Sequence, residues 1–180
     1  MSYLLLLRRI FPSMVLFFIG WSVAHAQTDS VANANALIQH NEWLRNRIER
    51  ELNLRNKAIQ ENDLKTVYFY FHPFALGTQV FEEFESEHKN YKQDLDSLHL
   101  QLRGFEVLGM GKIFFCNQEY QCLLKQRTSF IKSPGGEEVL TDRFLIAISG
   151  NGESWKFLPV EERDLPRLKS RFPFLCLESE

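Results

Sequence analysis

The sequence changes its hydrophobic period once, near Gly104, and that change constrains the fold more than any other feature. Upstream, Leu37, Leu44, Ile48, Leu52 and Ile59 recur at helical spacing among Arg, Glu and Asn. They predict one long amphipathic helix from Ala36 to about Gln60. "END" interrupts it, and Asp63 is a natural N-cap for a short second helix, "LKTVYFYF", which His72-Pro73 ends. A third helix is expected through "VFEEFESEHKNYKQDLDSLHLQLR", with Val80, Phe81, Phe84, Tyr91, Leu95, Leu98 and Leu102 as its apolar stripe and Gly104 as its stop.

Downstream the segments "EVLGMGKIFFC", "YQCLLKQRTSFIK", "EVLTDRFLIAIS" and "ESWKFLPV" are rich in aromatic and β-branched residues and read as strands. "NQEYQ", "SPGGE" and "GNG" supply the turns between them, and "EERDLPRLKS" predicts a short closing helix. Helices first and a meander afterwards imply an α+β domain whose antiparallel sheet wraps the long helix. A two-residue type I′ turn at Asn151-Gly152 would place Ile148 opposite Trp155, Ile146 opposite Phe157 and Phe144 opposite Pro159. That aromatic and aliphatic ladder would close the sheet over the helix.

The N-terminus has a different character. Arg8 and Arg9 precede the short apolar run "VLFFIGWSV", and "AHA" places small residues at Ala24 and Ala26. This is the pattern of a cleaved export signal over 1–26, followed by a polar leader over 27–35, a domain over 36–175 and a tail over 176–180. The rival reading, a membrane anchor, has about 14 apolar residues where a span needs about 20. Localisation is therefore expected to be periplasmic or secreted, with no stable membrane span after cleavage. A net charge of -2 offers no basic stripe for nucleic acid.

The order of long helix, short helices and curved sheet resembles the nuclear-transport-factor-2-like, or SnoaL-like, superfamily. "ENDLKTVYFYFHP" looks like that family's polar turn before its second helix. "FLIAISGNGESWKFLPV" looks like its closing hairpin, and "LKSRFPFL" is similar to the tails of exported bacterial members. The resemblance implies a cone-shaped α+β fold over about Ala36–Pro173. Its members include isomerases, dehydratases, cyclases and many non-catalytic binding or association domains, so the fold does not select a function.

Enzymes of this superfamily place a carboxylate, often with Tyr or His, inside the cone. Asp142 shares a face with Phe144, Ile146 and Ile148 by strand alternation, where desolvation would raise its pKa as a general base requires. At the strand's open end it would instead pair with Arg127 or Arg143 in solvent. Tyr68, Tyr70 and His72, in and after the second helix, are the candidate electrophiles or orienters, although His72 also suits a helix-end role. No complete catalytic set of an enzymatic member aligns with the chain.

The scattered histidines, with no H-x3-H or C-x2-C spacing, give no metal site, and no cofactor loop is present. In "CNQEYQC" a five-residue hairpin loop would set Cys116 opposite Cys122, close enough to bridge, with free buried thiols as the alternative. Export would permit a bridge. The expectation is an exported, non-catalytic binding or association module. Its partner would be a small apolar ligand in the cone or an envelope protein, with a homodimer through the sheet face as a further option. The alternative is a small isomerase-, dehydratase- or cyclase-like enzyme using Asp142.

Overall fold

The computed structural model describes residues 36–177, so the expected signal and leader (1–26 and 27–35) and the last three residues lie outside the described residues. By its contacts the chain divides between Trp43 and Leu44. The described residues of the first unit, 36–43, are helical and carry a stacked His40–Trp43 pair. All that follows concerns the second unit.

Helix α1 of this unit runs over 44–61, and Leu44, Ile48 and Leu52 form its fully buried stripe. Asp63 caps α2 (Leu64–Tyr70), accepting from Thr66 N. His72 does more than end α2: its side chain caps α3 (Pro73–Leu76), with Pro73 opening the new helix. Helix α4 covers Phe81–Ser97, and β1 already begins at Leu100. The third helix therefore stops earlier than its stripe suggested. His99, at φ 56°, turns the chain left-handed, and Leu100 and Leu102 enter the sheet.

The sheet is a four-stranded antiparallel meander in the order β1 (Leu100–Cys116), β2 (Glu119–Lys132), β3 (Glu137–Ser149), β4 (Lys156–Val160). The α+β architecture with helices first is thus present. Arg45 donates to the carbonyls of Met110 and Gly111, and Gln60 to that of Arg103. These contacts lay α1 along β1. The remaining elements are a 3-10 turn (Glu162–Arg167) and α5 (Leu168–Arg171).

Two hairpins differ from expectation. The type I′ geometry belongs to Asn117 and Gln118, at φ 50° and 66°, and not to Asn151-Gly152. Cys116 consequently pairs with Glu119, while Cys122 lies opposite Ile113. Cys116 and Cys122 do not bridge: Cys116 is bonded to Cys176, 60 residues on, and Cys122 is a buried free thiol. The β3–β4 connection is a six-residue loop from Gly150 to Trp155. Asn151 Oδ1 accepts from Glu153 N and Ser154 N, and Ser149 Oγ accepts from Gly152 N. The resulting register pairs Ile148 with Lys156, Ala147 with Phe157 and Ile146 with Leu158, one residue from the expected ladder.

A one-residue slip exchanges the faces of a strand. Leu145 and Ala147, with Trp155 and Phe157, pack on the Leu44–Ile48–Leu52 stripe. Ile146, Ile148, Leu158 and Val160 face the other way and are covered by Leu168, Phe172, Leu175 and Leu177. The tail boundary expected at 176 falls inside this packed segment. The sheet face that self-association would use is therefore covered at one end, and Lys125, Arg127 and Asp142 make its other end charged. Ala58, Leu64, Val67 and Phe84 form a separate cluster among the helices.

Candidate functional site

Strand β4 pairs with Phe144–Ile148 of β3, and among the described residues the outer edge of β3 from Glu137 to Arg143 has no strand partner. Asp142 sits just beyond that fork. Its Cα partner on β2 is Arg127. Arg127 Nε and Nη2 reach the two carboxylate oxygens at 2.8 and 3.3 Å, and Lys125 Nζ lies 3.3 Å away. The hydrogen bond from Arg127, and then that from Lys125, hold the carboxyl below the usual carboxylate range. Of the two readings of Asp142, this is the solvent-side pair with Arg127; the desolvated base with a raised pKa does not form. Asp142 shares the strand parity of Phe144 and Ile146 but lies outside the cluster that the tail hydrophobics pack against.

The other three candidates have separate partners. Tyr68 donates to the Gln79 carbonyl at 2.9 Å, and its ring packs edge-on against Phe81 and Phe84. Tyr70, in the helix–sheet core, donates to Glu51 at 3.1 Å, and burial followed by the Glu51 charge pushes its pKa to about 12. His72 Nδ1 accepts from Phe74 N at 3.2 Å, and the ring stacks on Phe174 at 5.7 Å. Burial lowers its pKa, with Glu119 opposing. None of these contacts brings Tyr68, Tyr70 or His72 to Asp142.

An open groove of about 520 Å³ lies at the β3–β4 fork. Its walls are residues 141–144 of β3, residues 159–162 at the end of β4, and Asp164, Arg171 and Phe172. Its size is in the range of small-ligand pockets. The lining is mixed, with Phe144, Pro159, Val160 and Phe172 among Asp142, Arg143, Glu161, Glu162, Asp164 and Arg171. Arg171 is tied to Asp164, and Asp142 is held from β2.

A second feature adjoins this groove through Arg143. Where the α1 stripe would continue after Leu52, Arg55 and Asn56 occupy the buried positions, each 7% exposed. Arg55 Nη1 donates to Asn56 Oδ1 at 3.3 Å, while its Nε has no partner. The guanidinium carbon lies 5.5 Å from the Phe71 ring centre and 6.0 Å from that of Phe157. Burial, and then the like charge of Arg143, draw the Arg55 pKa down to about 10.

No protein-family model, curated protein or solved structure matches the chain. The site is therefore characterised by its own chemistry. No group of three or more His, Cys, Asp or Glu side chains that could hold a metal occurs among the described residues. Arg55 was missed as a site residue because a cation within a helix reads as part of the solvated face. The available signal was the gap in the α1 stripe: between Leu52 and Ile59 the inward positions are filled by Arg55 and Asn56.

Proposed function

We propose that this chain is an exported, non-catalytic binding module of nuclear-transport-factor-2-like architecture, with its ligand seated in the groove at the β3–β4 fork. The observation that carries the reading is the groove itself: ligand-sized, open, and walled by a carboxylate already committed to two cations. A carboxylate held ionised by Arg127 and Lys125 is a weak proton acceptor, which argues against Asp142 as the base of an isomerase, dehydratase or cyclase. Export is supported by the Cys116–Cys176 bridge, a bond that oxidising compartments permit. Among the described residues no helix is long and apolar enough to cross a membrane.

Native mass spectrometry of the protein purified from the envelope of its own host tests the reading. The expected result is a bound small-molecule mass that disappears in Thr141→Trp, which plugs the groove. The absence of any adduct, or an adduct retained equally by the variant, overturns it. A circular dichroism spectrum matching that of the parent shows that the variant is folded.

A further inference from the structure

Three donor groups lie on the facing sides of α1 and the sheet, and none has an ion pair among the described residues. The first is the Arg55 guanidinium, buried against Phe71 and Phe157, with an orphan Nε and no ion pair among the described residues. The second is Gln126, 4% exposed, on the helix-facing side of β2 with Cys122 and Leu124, and its Nε2 has no acceptor. The third is Arg143, the Cα partner of Gln126, which shares strand parity with the helix-facing Leu145 and Ala147. Arg143 has no ion pair among the described residues and lines the groove.

Two guanidinium groups repel, and a buried cation without a counter-ion is costly to hold. Orphaned buried donors call for an acceptor. A single group would answer all three needs: an anion with two acceptor oxygens, placed between the arginines and reaching Gln126. The planar fork of a guanidinium matches a carboxylate in two-point contact. The walls beside the charges are the Phe71 and Phe157 rings, which favour an apolar body behind the anion.

We infer that Arg55, Arg143 and Gln126 form an oxyanion site that binds the carboxylate of an apolar organic acid entering from the groove. The inference rests on the groove reading and deepens it by giving the ligand class. Arg55 binds the anion, Arg143 guides it in at the exposed end, and Gln126 fixes one oxygen.

Titration calorimetry of the purified protein at pH 7.5 and low salt tests this with hexanoate, its neutral counterpart 1-hexanol, and inorganic phosphate. Hexanoate is expected to bind at least about tenfold more tightly than 1-hexanol, the factor of one charge-assisted hydrogen bond. Arg143→Gln is expected to weaken hexanoate by about the same factor without lowering the melting temperature of the free protein, since it removes a like charge facing Arg55. Arg55→Met should abolish the preference for the acid. If Arg55→Met does not fold, Arg143→Gln and Gln126→Leu carry the test. Equal binding of hexanoate and 1-hexanol, both lost in Thr141→Trp, removes the oxyanion assignment and leaves the groove reading standing. Phosphate binding as tightly as hexanoate overturns the carboxylate class. Hexanoate affinity unchanged in Arg143→Gln, or no binding by any probe, overturns the site.

Discussion

Reducing the Cys116–Cys176 bridge should cost the protein a large part of its stability, and the size of the loss identifies the bond. The two sulfurs close a loop of 60 residues, which in the chain-entropy model corresponds to about 4 kcal/mol. A bridge from Cys116 to Cys122 would close a loop about a tenth as long and contribute about 2 kcal/mol on the same model. The native bond also pins Leu175 and Leu177, which are buried against Ile146, Ile148 and Leu158. In urea, with a slope of about 2 kcal/mol per M, reduction is expected to lower the unfolding midpoint by about 2 M. Cys176→Ser should reproduce that shift without reductant, and Cys122→Ala should not remove the sensitivity to reductant. Peptide mapping of the oxidised chain should return the 116–176 cross-link. A midpoint indifferent to reductant, or a 116–122 cross-link, would refute the reasoning.

Three further outcomes follow from local geometry. Gln118 sits at φ 66° in a turn position that favours glycine, so Gln118→Gly should stabilise by about 0.5–1 kcal/mol in the same urea titration. Burial first raises the Cys122 thiol to about 12 from an ordinary value of 9.0, so iodoacetamide at pH 8 should label it about a thousandfold more slowly in the native protein than after denaturation. His72 has a folded pKa depressed below 6.5, chiefly by burial, so the unfolded chain takes its proton first. Its stabilising cap is present above 6.5 and is lost as pH falls from there toward the folded value. The urea midpoint should therefore drop between pH 7.5 and 5.5, and His72→Asn, which keeps a capping acceptor, should flatten that part of the profile.

Much of the architecture is written in local pattern. The Leu44–Ile48–Leu52 stripe, the Asp63 cap and the change to strand-like segments follow from spacing and capping chemistry alone. The limits have particular causes. Leu98 and Leu102 fit a helical stripe and, with Leu100, strand alternation as well, and the left-handed turn at His99 decides between them. Asn151-Gly152 has the composition of a tight turn, yet the Asn151 side chain holds a longer loop and moves every β4 side chain to the opposite face. Of the binding features, Asp142's pairing with Arg127 was one of two open readings. The role of Arg55 depends on what packs across from it, and a single chain's spacing does not contain that information.

The covering of the sheet by its own C-terminal segment sets an order of events. Strand pairings in a meander form between neighbours in sequence, and such local contacts close early. The face carrying Ile146, Ile148, Leu158 and Val160 can be dried only when Leu168, Phe172, Leu175 and Leu177 arrive, after all four strands. Until then an otherwise finished sheet presents a wet apolar strip to every neighbouring molecule. These residues, made after the four strands, thus separate the covered sheet from a sticky intermediate, and a chain cut before Leu168 should collect in aggregates even though all four strands are intact.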